Sequence, residues 1–272
     1  MRNLLKLWFL LLAACAALAA LGWLLGGYRL LSVFAFSGVL LALAVYWTSD
    51  RAVLGMVRAR GLPVGASPPL HGAVERLARR AGVAKPRLYL IDAPYPHALS
   101  VRGARGSSLA VSAGLLSLLS PAELDGVVAH EIAHVRQRDA LVQTVAVVIA
   151  STLLELSRIG GFLQRALLFV LAPVAAAFVH ALLSPRREFA ADLLAAELCD
   201  SPHGLAAALL RLDQAADVVE FGASPATEPL YPVNPFAVEG LASLFVTHPD
   251  LAERVRRLRE LDPGWREKLR AA

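Results

Sequence analysis

The chain has 272 residues, of which 57% are hydrophobic and 18% charged, and its mean hydropathy is +0.55. That apolar share lies above the range of an ordinary soluble protein, so membrane segments are sought first. The net charge of +5 (27 basic against 22 acidic side chains) calls for no nucleic acid, since arginines against an anionic leaflet account for it, and two cysteines leave no basis for a disulfide framework.

In chain order, residues 7–28 form a first run without a charge and residues 30–49 a second. Each reaches the roughly 20 residues that carry a helix across a bilayer. Gly26-Gly27 sits between them, where glycine breaks a helix and favours a turn, so the pair reads as a hairpin. The basic start and "LAAC" at residues 12–15 also suit a cleaved signal or lipoprotein box. The apolar run continues past Cys15 to Leu25 and leads directly into the second run, which favours an uncleaved span.

Next, "LHGAVERLARRAGV" has helical periodicity, with Leu70, Val74, Leu77 and Ala81 on one face. "RLYLID" reads as a short strand and "HALSVRGARGSSLAVS" as two strands around a glycine-rich turn. "SPAELDGVVAHEIAHVRQRD" opens a helix: Ser120 as N-cap, Pro121 at the first helical position and Glu123 completing a capping box. Residues 140–154 and 166–185 are the third and fourth candidate spans, joined at Gly160-Gly161; Glu155 and Arg158 make the third the weaker. "RREFAADLLAAEL" and "HPDLAERVRRLREL" read as helices, with a proline-rich loop at 223–235 before the second. Two hairpins leave both termini and the large segments on one side, with nine arginines or lysines near the membrane against three opposite. The positive-inside rule makes that side cytoplasmic. The resulting division is a first membrane hairpin at 4–49, a cytoplasmic part at 50–138, a second hairpin at 139–184 and a second cytoplasmic part at 185–272. The two cytoplasmic parts fold together as one split domain.

The chemistry lies in "HEIAH". On a helix His130 and His134 share a face, and two neutral imidazoles suit Zn²⁺. Glu131, one residue around the helix, can take a proton from a water whose pKa zinc lowers towards ~7. A chance motif on a surface is the competing reading, but histidines set among Val127, Val128, Ile132 and Ala133 would be costly to bury without a partner. The third ligand expected is Glu188. His134 lies 26 residues before Gly160 and Glu188 lies 27 after Gly161, so two helical arms of one hairpin would bring them to the same height. Pro173 is expected to kink the second arm. Asp192, one turn after Glu188, is placed to hold a ligand histidine's outer nitrogen; for both acids a solvated position is the alternative. His180 lies on roughly the same side of its helix as Glu188, about 12 Å from its level, and is not expected to ligate.

"AHEIAHVRQRD", "SPRREFAADLLA" and "NPF…LFVTHPDLAERVRRL" together resemble the HtpX-like membrane zinc endopeptidases, relatives of the CAAX prenyl proteases. The resemblance runs over most of the chain. It implies a mainly α, four-span protein of the prokaryotic plasma or inner membrane whose zincin-like α+β domain carries a small sheet. It further implies one Zn²⁺ per chain and cleavage of misfolded or damaged membrane proteins from the cytoplasmic face, in protein quality control under stress. His130, His134 and Glu188 would be ligands, Glu131 the base, Asp192 the orienting carboxylate, and His248 a donor to the oxyanion. Arg254 matches a family position, with a solvated helix face as the equal alternative. Where the family usually has "PNAFAxG" this chain has "PYPHALSVRG", so His97 replaces an asparagine close to substrate, and "HPD" replaces the commoner "HPP". The strand around Ala98 and Ser100 is a candidate edge for an extended peptide. A prenyl-protein protease would share the metal site, and a membrane scaffold or chaperone could retain an idle one. Four spans leave little room for a lipid chamber, and an intact Glu131 argues against an idle site.

Overall fold

The computed structural model describes residues 2–158, 164–216 and 249–262, together with Leu244, Thr247 and Gly264. The first helix, α1 (Arg2–Met56), leaves helical geometry at Gly26 and Gly27, and Gly27 has φ +61°, open to glycine at little cost. The two arms lie antiparallel. Trp8 packs on Tyr46 with ring centroids 6.0 Å apart, and Gly38 abuts Cys15 closely enough that a Cβ would sit 3.4 Å from its Cα. This is the first hairpin, and its outer surface is apolar: Phe9, Leu24, Phe36 and Leu41 are all exposed.

A four-stranded sheet follows, in the order β1-β2-β4-β3: β1 (Arg60–Gly61), β2 (Arg87–Ile91), β3 (Ala98–Gly103) and β4 (Gly106–Ser112). β2 and β4 run parallel and the other pairs antiparallel. Both faces are covered, and β3 and β4 are buried along most of their length although serines interrupt their apolar residues. Ala98, Leu109 and Val111 pack with α2 (Pro68–Ala81) and α4 (Pro121–Gln137), while Leu99, Val101 and Ala110 pack with Val53, Leu54 and Val57 of α1. α2 buries Leu70, Val74, Leu77 and Ala81 as the periodicity predicts, and the short α3 (Ala113–Leu118) is capped by Ser112.

α4 begins with both bonds of the capping box in place: the Ser120 hydroxyl accepts from the Glu123 amide and the Glu123 carboxylate accepts from the Ser120 amide. Its back lies so close to α8 (His203–Ala216) that a Cβ on Gly126 would come within 2.5 Å of the Leu205 nitrogen. α4 ends at Arg138 in the left-handed conformation, and α5 (Asp139–Arg158) starts immediately. α6 (Gln164–Leu182) passes through Pro173 without interruption; the break comes at Ser184-Pro185, where the axis turns by 46° into α7 (Arg186–Cys199). Proline at 185 has no amide proton to continue the ladder. Neither arm of the expected second hairpin is therefore a single rod. Both break at nearly the same height, Arg138 22 residues before Gly160 and Pro185 24 after Gly161, so the level match between α4 and α7 survives. The turn at Gly160-Gly161 lies outside the described residues.

Among the described residues one helix, Leu7–Met56, is long and apolar enough to cross a membrane, and α6 with α7 passes only if taken as one broken span. The apolar start of α5, expected as a third span, is buried in protein: Leu141, Val142, Val145, Ala146 and Ala150 pack against Leu7 and Leu11 of α1 and Ala175, Ala176 and Val179 of α6. α9 (Leu251–Glu260), N-capped by Asp250, closes over α7 and α8.

Candidate metal centre

α4 supplies His130, Glu131 and His134, and α7 supplies Glu188 and Asp192, all buried. The Nε2 atoms of the two histidines are 3.2 Å apart; Glu188 Oε2 is 3.4 Å from His130 Nε2, and Glu188 Oε1 is 3.6 Å from His134 Nε2. A tetrahedral zinc with bonds of 2.0–2.2 Å needs donor atoms ~3.3–3.6 Å apart, and each histidine has the other and one oxygen of the Glu188 carboxylate at about that distance. The donor chemistry fits as well: two imidazoles and a carboxylate make the nitrogen and oxygen set of a catalytic rather than a structural zinc.

Behind these donors lies a second row of charges. Asp192 Oδ1 is 2.9 Å from His130 Nδ1, near enough to favour a proton on the nitrogen facing away from Glu188. Asp192 in turn accepts two bonds from Arg254 of α9, at 2.8 and 2.7 Å. Arg254 is 1% exposed, so it is no part of a solvated helix face. Its NH2 also lies 3.9 Å from Glu188 Oε2, while Arg187 NH2 lies 3.3 Å from Glu188 Oε1, and each oxygen of the Glu188 carboxylate thus has a guanidinium beside it. Burial alone would raise the Asp192 carboxyl, but Arg254 and His130 hold it below the usual carboxylate range. Burial opposes the charge on Arg254 too, and the Asp192, Glu188 and Glu131 carboxylates outweigh it. For His134 burial would lower the imidazole, yet Glu188 and Asp139 lift it to about 9. Protons thus compete with a metal for this triangle, and metal uptake releases them.

Arg187 and Asp139 lie inside "SPRREFAADLLA" and "AHEIAHVRQRD", but neither is assigned a role from the sequence. Arg187 counts in the sequence among the membrane-flanking cations, but it is buried against Glu188. Asp139, the first residue of α5, has its Oδ2 3.9 Å from His134 Nδ1. The signal for both was their position, beside a ligand and at a helix junction where a charge has no free water. His180 is exposed, with Nε2 3.0 Å from the Leu244 carbonyl, and does not face the donors. His248 lies outside the described residues, as does the 223–235 loop.

His97 is buried just before β3, its ring stacked on Tyr95 at 4.8 Å and its Nδ1 3.3 Å from the Tyr95 carbonyl. Burial pushes the imidazole down to about 4, so at neutral pH the ring is uncharged, as the asparagine it replaces would be. The Ser112 amide donates to the His97 carbonyl across the β3–β4 pair, and the Arg102 amide instead donates to Thr144 Oγ1 of α5. With the alternation of an antiparallel ladder, the amides and carbonyls of Ala98 and Ser100 point, like that of Arg102, away from β4. β3 is the outer strand of the sheet at that side.

The chain is 37% identical over 275 residues to the protease HtpX homolog of Pelotomaculum thermopropionicum, covering 94% of this chain and 98% of that one. It is 39% identical over 282 residues to the homolog of Acidiphilium cryptum, covering 96% and 97%. The crystal structure of S. mikatae Ste24p has the same fold, with a TM-score of 0.50 and 18% identity over 95% of this chain and 64% of that chain. Residues 66–262 match peptidase family M48, a stretch that takes in α4, α7 and α9 together. The chain belongs to peptidase family M48 and is a membrane zinc metallopeptidase.

Proposed function

We propose that this protein is an endopeptidase that cuts misfolded or damaged membrane proteins at the cytoplasmic face of a prokaryotic plasma membrane, with His130, His134 and Glu188 as the metal ligands. The observation that carries the reading is the meeting of His130, His134 and Glu188, at 3.2, 3.4 and 3.6 Å, on two helices adjoined in the chain by the membrane-side helices α5 and α6. Bound zinc supplies a Lewis acid that makes water a nucleophile near neutral pH. Glu131, buried beside His130 on α4, takes the proton of the attacking water and delivers it to the leaving amine. Asp192 orients His130, and Arg254 holds Asp192 charged. His248 steadies the oxyanion by resemblance to the family. The outward backbone groups of Ala98 and Ser100 pair with an extended substrate, and His97 stands at its start as an uncharged hydrogen-bonding group.

Four crossings as two hairpins, with both termini and the split zinc domain (50–138 and 185–272) cytoplasmic, are part of the same reading. The arginine asymmetry and the bent α6–α7 pair support it. The test is cleavage of a purified, destabilised membrane protein by the purified enzyme in proteoliposomes. Cleavage that stops on chelation and returns with zinc supports the reading. A substrate left intact by fully zinc-loaded protein, while soluble unfolded chains are cut, overturns the choice of substrate.

A further inference from the structure

Strand β3 is shut along the side on which a substrate would pair. Ala98, Leu99, Ser100 and Val101 are 0–3% exposed. The two faces of the strand are taken by apolar packing. Leu99 and Val101 share a core cluster with Val53, Leu54 and Val57 of α1, and Ala98 shares one with Val127, Val128 and Ile132 of α4. Among the described residues the remaining side, along the outer edge, is taken by α5, which packs directly on the strand. There the outward amide of Arg102 donates to Thr144 Oγ1 at 3.2 Å. Val147 and Val148, one turn further along α5, belong to the same cluster as Leu99 and Val101. The Thr144 hydroxyl donates in turn to the Ala140 carbonyl of its own helix.

The contact at Thr144 is of a kind that a peptide can replace. In an antiparallel pair the Arg102 amide would donate to a carbonyl of the neighbouring strand, and here a side-chain hydroxyl stands in that carbonyl's place. An entering peptide therefore exchanges one hydrogen bond for another instead of leaving a buried amide without a partner. The helix is also jointed where it would have to turn. α4 ends at Arg138 in the left-handed conformation, φ +62°, and α5 starts with the next residue. Gln137, the last residue of α4, donates to the Ala190 carbonyl of α7 at 3.0 Å, which holds α4 to α7 independently of α5.

We propose that α5 is the gate of this enzyme. Closed, as in this structure, it lies along the edge of β3 with Thr144 on the Arg102 amide. Open, it has turned about the break at Arg138, and the Arg102 amide pairs with a peptide together with the outward groups of Ala98 and Ser100. Elsewhere α5 packs on Leu7 and Leu11 of α1 and on Ala175, Ala176 and Val179 of α6, so these two helices keep the gate shut. This rests on the reading of β3 as the substrate strand.

The experiment uses the full-length enzyme in proteoliposomes, carrying Cys15→Ala, Cys199→Ala, Arg102→Cys and Thr144→Cys. A short bis-thiosulfonate reagent bridges the two new thiols and a phosphine reductant opens the bridge again, so each sample is its own control. The probe is the destabilised membrane protein of the cleavage assay. The gate predicts cleavage slowed about ten-fold or more by the bridge, recovery on reduction, and zinc content unchanged throughout. Cleavage at the same rate with the bridge in place overturns it. A second measurement separates the gate from the strand: hydrogen exchange of residues 98–103 in an unbridged Glu131→Gln variant, with and without the probe. Slower exchange there with the probe bound supports the strand. That result beside an unaffected bridged enzyme sinks the gate alone, whereas exchange indifferent to the probe sinks the strand assignment and the gate with it.

Discussion

The first hairpin and the metal centre bury opposite things. In the outer face of α1 large apolar side chains such as Phe9, Leu24 and Phe36 stand exposed, and no charge interrupts residues 30–49. Around α4, α7 and α9 the interior holds Glu131, Glu188, Asp192, Arg187 and Arg254, all buried. Each arrangement would be costly in the other's surroundings. Exposed apolar area is stable only where lipid covers it, and buried charge only where an opposite charge or a metal answers it. The hairpin is thus specified by its solvent and tolerates exchange of one apolar residue for another. The centre is specified by pairwise geometry and tolerates little.

That contrast breaks first at Glu131. Glu131→Gln is expected to lower turnover by ~10²–10⁴-fold while zinc content stays the same, because a proton carrier is lost and a ligand is not; metal analysis beside a peptidase assay checks both halves. Arg254→Leu removes the partner of a buried Asp192, and an uncompensated charge of that kind costs about 3–5 kcal/mol. Denaturant melts in detergent should show it as a large loss of midpoint, and an unchanged midpoint would place the pair on the stability-neutral side of the comparison.

His97 gives a smaller, pH-dependent effect. Its folded value of about 4 lies below the ordinary 6.5, so between those values the unfolded chain binds the proton and the folded chain does not. Stability contributed by the neutral ring is whole above pH 6.5 and is lost as pH falls to 4, by about 3 kcal/mol at most. His97→Asn should remove this acid sensitivity, and an identical pH slope in the variant would contradict it. Smallest of all is Leu40→Ala on the lipid face, expected to cost under about 1 kcal/mol, against about 2–5 kcal/mol for Leu70→Ala in the core. Equal costs would show that the exposed face of α1 is not lipid-facing.

Much of this was readable from local pattern. The capping box of α4, the periodicity of α2 and the glycine-rich turn between β3 and β4 are short-range devices, and the structure has each one. The spacing from Gly160-Gly161 brought Glu188 to the histidines although neither arm is straight, since α4–α5 and α6–α7 break at matching heights. What the pattern did not carry was long-range charge pairing. Arg254 looks like any arginine of an amphipathic helix until α9 is docked and its guanidinium meets Asp192, 62 residues earlier. Arg187 looks like a lipid-facing cation for the same reason. An apolar run does not declare whether lipid or protein will cover it, and the start of α5 is covered by helices α1 and α6.

The most direct measurement is the zinc content of the purified full-length protein and of Glu188→Ala, prepared side by side and freed of loosely held metal. The donor triangle predicts one zinc per chain in the first and a small fraction of that in the second. Full zinc in Glu188→Ala would mean that the carboxylate from α7 does not complete the centre.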